Sequence, residues 1–389
     1  MEQHSQTQND ADKETRLLTD LRRQFVTAFF PISWLYWCDL LLSTFIGWGA
    51  FVVAMNAPFL SFLYIAATTT AIIALLRATI FIHELAHLKR GSIPGFELAW
   101  NLLVGVPFLL PSVMYDSHGD HHRQATFATA HDPEYAPIAQ WSQFHIFRFV
   151  AGMIFVPALL ALRWGVFGGP SLLLPPLRRF LLTRASSLVI NPHYMRPLPQ
   201  RDDHLRCYTL ELATTLAFWS ALFAFLYGAL PLSWLCHWYI IGAGVAIVNQ
   251  VRTLAAHRYQ NDGRQLTTVE QLLDSINLTG LPWLTALAAP VGLRYHALHH
   301  FLPTLPYHSL GAVHRQLVAQ LSPGSPYRQT EERGIFAAVQ KLLQHPLSRT
   351  DVTPSLDHKK SHSHMCHPEC NEGSLREILR SARNDNGKR

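Results

Sequence analysis

Four long apolar stretches constrain the fold more than any other feature of the sequence. A transmembrane helix needs about 20 mostly apolar residues, and stretches of about that length cover residues 32–53, 59–82, 212–230 and 232–251. Hydrophobic residues make up 49% of the chain. Charged residues make up only 15%, below the roughly 25% of an average soluble domain. The sequence therefore predicts an all-α integral membrane protein with four transmembrane helices.

The four stretches form two pairs, each joined by a short link without charge. Residues 55–58 link the first pair and residues 228–233 link the second, whereas arginines and lysines flank the pairs. By the positive-inside rule, both hairpins enter from the cytoplasm and return to it. The net charge of +6 is spread between apolar stretches without a dense basic run, which argues against a nucleic-acid partner.

Two further apolar stretches, residues 96–114 and 149–174, are interrupted by prolines and by Arg163. Such interruptions are typical of interfacial helices rather than of full crossings. If one of these two stretches crossed the bilayer alone, the histidine clusters on its two sides would face opposite compartments. If all the clusters form a single site, they must lie on the same side of the membrane, so neither stretch can cross it alone.

The polar ends of the chain predict three regions. Residues 1–30 form a cytoplasmic N-terminal segment without the pattern of a cleaved signal peptide. Residues 31–320 form the membrane domain, and residues 321–389 form a polar C-terminal tail. The tail contains histidines and cysteines that could form a zinc knuckle, but a short polar segment without a core is typical of disorder. We assign it no function.

Eight histidines in three short clusters are the strongest chemical signal. The clusters read HELAH, HGDHH and HALHH. A spacing of four residues places two imidazoles on one helix face. The spacing of the second and third clusters would point three imidazoles in one direction if those segments are helical. The predicted ligands are His83, His87, His118, His121, His122, His296, His299 and His300. Together they predict a histidine-rich cap on the cytoplasmic side.

The first cluster also matches the HExxH pattern of zinc metalloproteases, with Glu84 as the general base. A catalytic zinc takes three protein ligands, so a protease would leave most of the clustered histidines without a role. Eight or nine imidazoles suit two metals that keep open positions, and imidazole suits iron. A metal transporter would need ionisable residues within its membrane spans, whereas these histidines lie at helix ends and in loops.

The three clusters, their order and the hydrophobic pair between the second and third resemble the membrane fatty acid desaturase and hydroxylase superfamily. HALHHFLPTLPYH resembles the third histidine box with its usual continuation, and DPEY after the second box resembles related bacterial members. The resemblance covers roughly residues 30 to 320. It implies a non-heme di-iron centre that activates O2, and it implies His257, in RTLAAHRYQNDG, as a ninth ligand.

The resemblance implies a fatty acid desaturase that introduces a C=C bond into an acyl-lipid or acyl-thioester. A hydroxylase or ketolase acting on an alkane, sterol or carotenoid would share the metal site. Electrons would come from a separate ferredoxin-, rubredoxin- or cytochrome b5-type protein, because the chain has no motif of a fused carrier. The expected location is the bacterial inner membrane, with both termini and the site cytoplasmic.

Three residues near the clusters are expected to support the ligands. Asp120 and Glu84 could accept the second N–H of a ligand imidazole, which fixes its tautomer. Asn249, at the membrane end of the fourth helix, could reach a water in the site. The sequence leaves open the chain length and carrier of the substrate, the position of the reaction and the oligomeric state.

Overall fold

We describe a computed structural model of the chain over Arg23 and residues 25–344. The start of the N-terminal segment and the C-terminal histidines and cysteines lie outside the described residues. The described part is mostly helical, as predicted. By length and composition, five helical segments could cross a membrane. They are Ser33–Asn56, Phe62–His87, Gln143–Gly165, Arg201–Leu226 and Leu232–Leu254.

Helices α1 (Ser33–Asn56) and α2 (Phe62–His87) form the first hairpin. They pack along much of their length, and a Cβ on Gly47 would lie 2.5 Å from Leu75 Cγ. A small residue at this position therefore allows the two helices to approach closely. The single acidic residue of the first apolar stretch, Asp39, forms an ion pair with Arg77 of α2, so neither charge lacks a partner in the apolar hairpin.

The second hairpin and the stretch before it form long helices whose bounds differ from those of the apolar stretches. The hairpin consists of α9 (His204–Leu226) and α10 (Leu232–Leu254). Before it, α5 (Gln143–Ala151) continues through a 3-10 turn at Gly152–Phe155 into α6 (Val156–Gly165). The predicted interfacial stretch is thus long and apolar enough to count as a fifth candidate span. A buried ion pair joins its Arg163 to Glu211 of α9.

Short helices connect the long ones and build the cap. The stretch at residues 96–114, predicted to be one interfacial helix, is broken into α3 (Phe96–Trp100), a π turn (Asn101–Gly105) and a 3-10 turn (Ser112–Tyr115). The remaining helices are α4 (His118–His121), α7 (Gly168–Leu173), α8 (Pro175–Arg184), α11 (Thr268–Asp274), α12 (Pro282–Ala288), α13 (His296–Phe301), α14 (Tyr307–Gln320), α15 (Pro326–Gln329) and α16 (Ile335–Gln344).

A small parallel sheet departs from the all-α prediction and fixes the third histidine cluster. Strand β1 (Asn277–Leu278) pairs with β2 (Glu331–Glu332). Buried Asn277 also accepts a hydrogen bond from the Leu298 backbone N–H and donates one to Thr330 Oγ1. The segment after residue 320 therefore contributes structure that holds α13 in place.

Candidate metal centre

The end of α2 carries the first histidine cluster. The helix continues past the apolar stretch, which ends at residue 82, and runs to His87. His83 and His87 therefore lie about one turn apart on the same face. They join three histidines from elsewhere in a first group, in which five ligand nitrogens lie within 4.8 Å of one another. The first group is His83, His87, His118, His122 and His299.

The other four histidines form a second group. Their ligand nitrogens also lie within 4.8 Å of one another, and the members are His121, His257, His296 and His300. His257 follows the end of α10 and stands 2% exposed among them. All nine histidines singled out from the sequence are thus gathered into two adjacent groups. Their assignment as metal ligands is a proposal that this geometry supports.

The second and third clusters each contribute to both groups, contrary to the expectation that each triplet points in one direction. His118 and His122 belong to the first group, whereas His121 belongs to the second. In the third cluster, His296 and His300 share the second group and His299 joins the first. Consecutive helical residues differ by about 100° around the axis. The i and i+4 imidazoles therefore stay together while the i+3 imidazole turns away.

The imidazole nitrogens meet at distances that hydrogen bonds among them cannot satisfy. His299 Nε2 lies 3.1 Å from both His87 Nε2 and His122 Nε2. His296 Nε2 lies 2.9 Å from His257 Nε2 and 3.1 Å from His300 Nε2. A neutral imidazole has only one N–H. Nitrogens that meet in threes therefore leave lone pairs facing lone pairs.

Both nitrogens of buried His83 also lack a hydrogen-bond partner among the described residues. Buried polar atoms without partners are unfavourable, and a metal ion accepting the converging lone pairs would remove that cost. Two metal–nitrogen bonds of about 2.1 Å at a right angle place their nitrogens about 3 Å apart. The observed contacts between imidazoles match that separation, so the residues present fit bound metal ions.

Three carboxylates accept hydrogen bonds from the far side of the imidazoles. Asp132 lies 2.9 Å from His121 Nδ1, and Glu134 Oε1 lies 2.6 Å from His118 Nδ1. Asp274 Oδ2 lies 3.1 Å from His257 Nδ1. When Nδ1 carries the proton and donates it to a carboxylate, the Nε2 lone pair is directed into the group. Such partners fix the tautomer and raise the basicity of a ligand imidazole.

Tyrosines hold two of these carboxylates in turn. The Tyr115 hydroxyl donates to Glu134, and the Tyr135 hydroxyl donates to Asp274. Burial acts to raise the pKa of Glu134, but His118, His121 and the Tyr115 hydroxyl together outweigh it and lower that pKa to about 2. Glu134 is therefore ionised at any physiological pH.

Several of the imidazoles are held neutral by their surroundings, whereas Asp132 outweighs the effect of burial and raises the pKa of His121. Burial is the largest cause that lowers the pKa of His299 and His300 well below the ordinary range, and the neighbouring histidines lower it further. The same causes lower the pKa of His122 and His296. Because a metal binds the neutral imidazole, these nitrogens need not lose a proton before they can coordinate.

The residues expected to support the ligands make their hydrogen bonds elsewhere. Asp120 accepts from the Tyr194 hydroxyl at 2.6 Å and from Arg123, because it points outward from the short turn of α4. Glu84 accepts from the Tyr36 hydroxyl at 2.5 Å and from the Tyr307 N–H at 3.2 Å. Asn249 accepts from Arg252. None of the three has a hydrogen bond to a clustered histidine among the described residues.

Asp132 and Glu134 were not singled out from the sequence as partners of the ligands. Both lie in DPEY, which carried the family resemblance but no assigned role. The available signal was two acidic residues two positions apart, shortly after the second cluster. Spacing alone cannot reveal the chain reversal that brings them behind His118 and His121.

Replacing Asp132 by asparagine is expected to weaken metal binding at the second group by about tenfold to a hundredfold. Asparagine keeps the shape of the side chain but removes the negative charge that polarises His121. Competition between purified protein and a chelator of known affinity measures the effect. Asp120→Asn is the matched control, because Asp120 precedes the same ligand in sequence but its carboxylate accepts hydrogen bonds from Tyr194 and Arg123 instead. Equal affinities for the two variants would contradict a supporting role for Asp132.

Comparisons with known proteins agree with this geometry. The family model described as "Fatty acid desaturase" matches residues 61–331. A curated relative from Caulobacter vibrioides (strain NA1000 / CB15N), described as "Ceramide hydroxylase", is 37% identical over 332 residues. The alignment covers 85% of this chain and 93% of the relative. No solved structure matches the chain.

Proposed function

The chain belongs to the fatty acid desaturase family, and from that premise we propose that it is an O2-dependent di-iron hydroxylase of a ceramide-class membrane lipid. The nine histidines in two adjacent groups carry the proposal, because the family is of the histidine-box di-iron type. The curated relative supports the hydroxylase reaction and the lipid class. This reverses the order of the sequence-based hypotheses, in which desaturation came first.

Desaturation of an acyl chain remains the second candidate. Hydroxylation replaces a C–H bond by C–OH, whereas desaturation removes a second hydrogen from the neighbouring carbon. The two reactions use the same metal site and differ mainly in how the substrate is placed. The description of the family model names desaturation, whereas the similar hydroxylase aligns with 85% of this chain.

The two histidine groups would hold two iron ions, which when bound supply the O2 activation and electron transfer that side chains alone cannot perform. The protein positions the ligands and keeps the site dry. Asp132, Glu134 and Asp274 orient three of the imidazoles from behind. Six of the nine histidines, including His118 and His121, are at most 4% exposed. Such burial limits side reactions with water.

The zinc protease hypothesis is weakened by the environment of Glu84. Its carboxylate is 4% exposed and accepts hydrogen bonds from Tyr36 and Tyr307. A general base must reach the proton that it removes, and this carboxylate is already committed to other donors. The remaining clustered histidines would also have no role in a one-zinc site.

We propose that four of the five candidate spans cross the membrane. His122 precedes Gln143–Gly165 and His257 follows the α9–α10 hairpin, yet the two residues belong to adjacent groups. The hairpin already provides two crossings. A single further crossing by Gln143–Gly165 would separate the two histidines by a hydrocarbon core of about 30 Å. This segment is therefore assigned to the membrane surface, and the site to the cytoplasmic side with both termini.

Electrons must reach the site from outside the chain. Family members use electron donors, and the sequence contains no motif of a fused heme or iron–sulfur carrier. We propose a separate ferredoxin-, rubredoxin- or cytochrome b5-type protein that approaches from the cytoplasm. The location in a bacterial inner membrane agrees with the bacterial relative.

Host cells that make a ceramide of defined chain length are expected to accumulate a product heavier by one oxygen when they express this protein. Mass spectrometry of extracted lipids separates that product from a desaturated one, which is lighter by two hydrogens. The purified protein should contain about two irons per chain. His145→Ala, at an exposed position outside the clusters, is the control and should retain the product.

Other outcomes reassign the function in a defined way. Unsaturated lipids without hydroxylated ones would favour the desaturase. About one zinc and no iron would overturn the di-iron proposal. Two irons with unchanged ceramide would keep the metal site but remove the ceramide class as substrate.

A further inference from the structure

A cavity of about 410 Å³ lies where α10, α12 and α16 meet. Its wall is almost wholly apolar and includes Ile247, Val248, Val251, Leu284, Ala288 and Ile335. The two arginines beside it call for no charged ligand, since Arg333 is exposed and Arg252 interacts electrostatically with Glu134. The cavity therefore suits an uncharged, apolar ligand.

An exposed apolar patch surrounds the mouth of this cavity. Leu281 and Phe336 line the cavity and are 57% and 74% exposed. Trp283 and Leu287, about one turn apart on α12, are 68% and 44% exposed. The sequence of α12, PWLTALA, contains no charged residue. A patch of large apolar side chains marks a surface that contacts another molecule or a membrane, and we call these four residues the α12–α16 patch.

The position of the patch identifies lipid as the molecule that covers it. Ile247, Val248 and Val251 lie in the last three turns of α10, a candidate membrane span. Only 17% of the apolar window of that helix is buried inside the protein, so most of the helix faces lipid. One wall of the cavity therefore continues a surface that lipid reaches, and α12 extends it without a charged side chain.

Neither water nor empty space suits a cavity of this size and lining. A buried water needs several polar partners, which an aliphatic wall does not offer. The atoms that line an empty cavity lose van der Waals contacts. In a bilayer, alkyl chains are the apolar groups next to the mouth. Their methylenes restore those contacts without giving up hydrogen bonds to water.

We propose that this cavity binds an alkyl chain of a bilayer lipid from the cytoplasmic leaflet, and that the α12–α16 patch lies in that leaflet around the mouth. Val251, Ala288 and Ile335 also pack in the apolar cluster that contains Ala255, two residues before His257. A bound chain therefore packs against the cluster that adjoins a candidate ligand. The inference depends on α10 crossing the membrane and not on the reaction.

The first test labels the metal-loaded full chain in phosphatidylcholine proteoliposomes that contain a trace of phosphatidylcholine with a diazirine on its alkyl chain. Light attaches this lipid to the side chains that it contacts, and peptide mass spectrometry locates them. We expect label on Leu284 and Ile335 in the cavity and on Ile240, which is 41% exposed on α10. Ala288→Phe fills the cavity and should lower the cavity label about tenfold, while label on Ile240 stays unchanged.

Ala319→Phe is the matched control for the filling variant. It makes the same change at an exposed position of α14 that does not line the cavity, so the cavity label should stay at the wild-type level. Wild-type metal content in both variants shows that the cap has folded. If Ala288→Phe loses its metals, the wild-type label in the cavity and the second test decide.

The second test locates the patch without a filling variant. The fluorescence of the wild-type protein minus that of Trp283→Phe isolates the signal of Trp283. In proteoliposomes, phosphatidylcholine with brominated chains should quench this signal, because the indole lies among the chains. Iodide in the surrounding water should leave the signal nearly unchanged.

Label on Ile240 without label on Leu284 and Ile335 would overturn the inference, and so would a cavity label that Ala288→Phe leaves unchanged in a protein with full metal content. Quenching of Trp283 by iodide and not by brominated lipid would place the patch in water and overturn it as well. If neither quencher reaches Trp283 and the chain is a dimer, a second copy covers the patch and the inference fails. If both tests succeed but no lipid is oxidised, the proposed function fails while the binding site stands.

Discussion

Alanine at His118 or at His121 is expected to abolish the oxidised lipid product, with a loss of more than about a hundredfold, beyond the usual effect of removing a supporting partner. The two residues belong to the same cluster but to different groups. Each variant should therefore lose about one of two irons, from a different group. Iron analysis of the purified proteins and lipid mass spectrometry of the expressing cells measure the two effects.

His131→Ala is the matched control for both substitutions. His131 lies shortly after the same cluster, is exposed and belongs to neither group, so iron content and product should stay at the wild-type level. Retention of two irons in His118→Ala or His121→Ala would contradict the assignment of that histidine as a ligand. Loss of iron in the control would point to general misfolding instead.

Removing the metals from the purified protein is expected to lower its thermal midpoint by about 10 °C. A ligand present at about a thousand times its Kd stabilises the folded state by about 4 kcal/mol, and 1 kcal/mol corresponds to about 2–4 °C in domains of 150–250 residues. Without metal, the converging lone pairs of His87, His122 and His299 face one another. Melting curves in detergent, before and after chelation, measure the change.

Restoring iron should reverse the loss of stability, whereas magnesium should not, because it prefers oxygen ligands. The double variant His118→Ala with His121→Ala serves as the reference and should respond weakly to the chelator. An unchanged midpoint in the stripped wild-type protein would mean that the histidine groups are stable without metal. That result would remove the stability argument for the site.

The long helices and the histidines of the candidate metal site could be predicted from sequence because both depend on local patterns. Apolar length predicted α1, α2 and the α9–α10 hairpin, and the histidine spacing predicted which imidazoles to examine. The bounds shifted where polar residues continue a helix. The first helix turns of α9, from His204, are polar and were missed. The spacing in HELAH, by contrast, already placed His83 and His87 on one helix face, and α2 runs to His87.

The contacts behind the ligands could not be predicted, because they depend on chain reversals. Asp132 approaches His121 only after the loop at residues 123–131 turns back, and its carboxylate also accepts the Ala128 N–H. Asp120, adjacent in sequence to the same ligand, points to Tyr194 instead. Adjacency in sequence therefore did not predict which carboxylate contacts the ligand imidazole.

The histidines of HGDHH and of HALHH are divided between the two histidine groups. This division restricts how the gene for such a protein can change in length. Inserting or deleting one residue between His118 and His122 would rotate the following imidazole by about 100° and exchange its group. The insertion or deletion of a single codon would therefore disrupt both histidine groups. Insertions and deletions tolerated in evolution should therefore fall in connecting segments such as residues 185–200, while the lengths of the two clusters stay fixed.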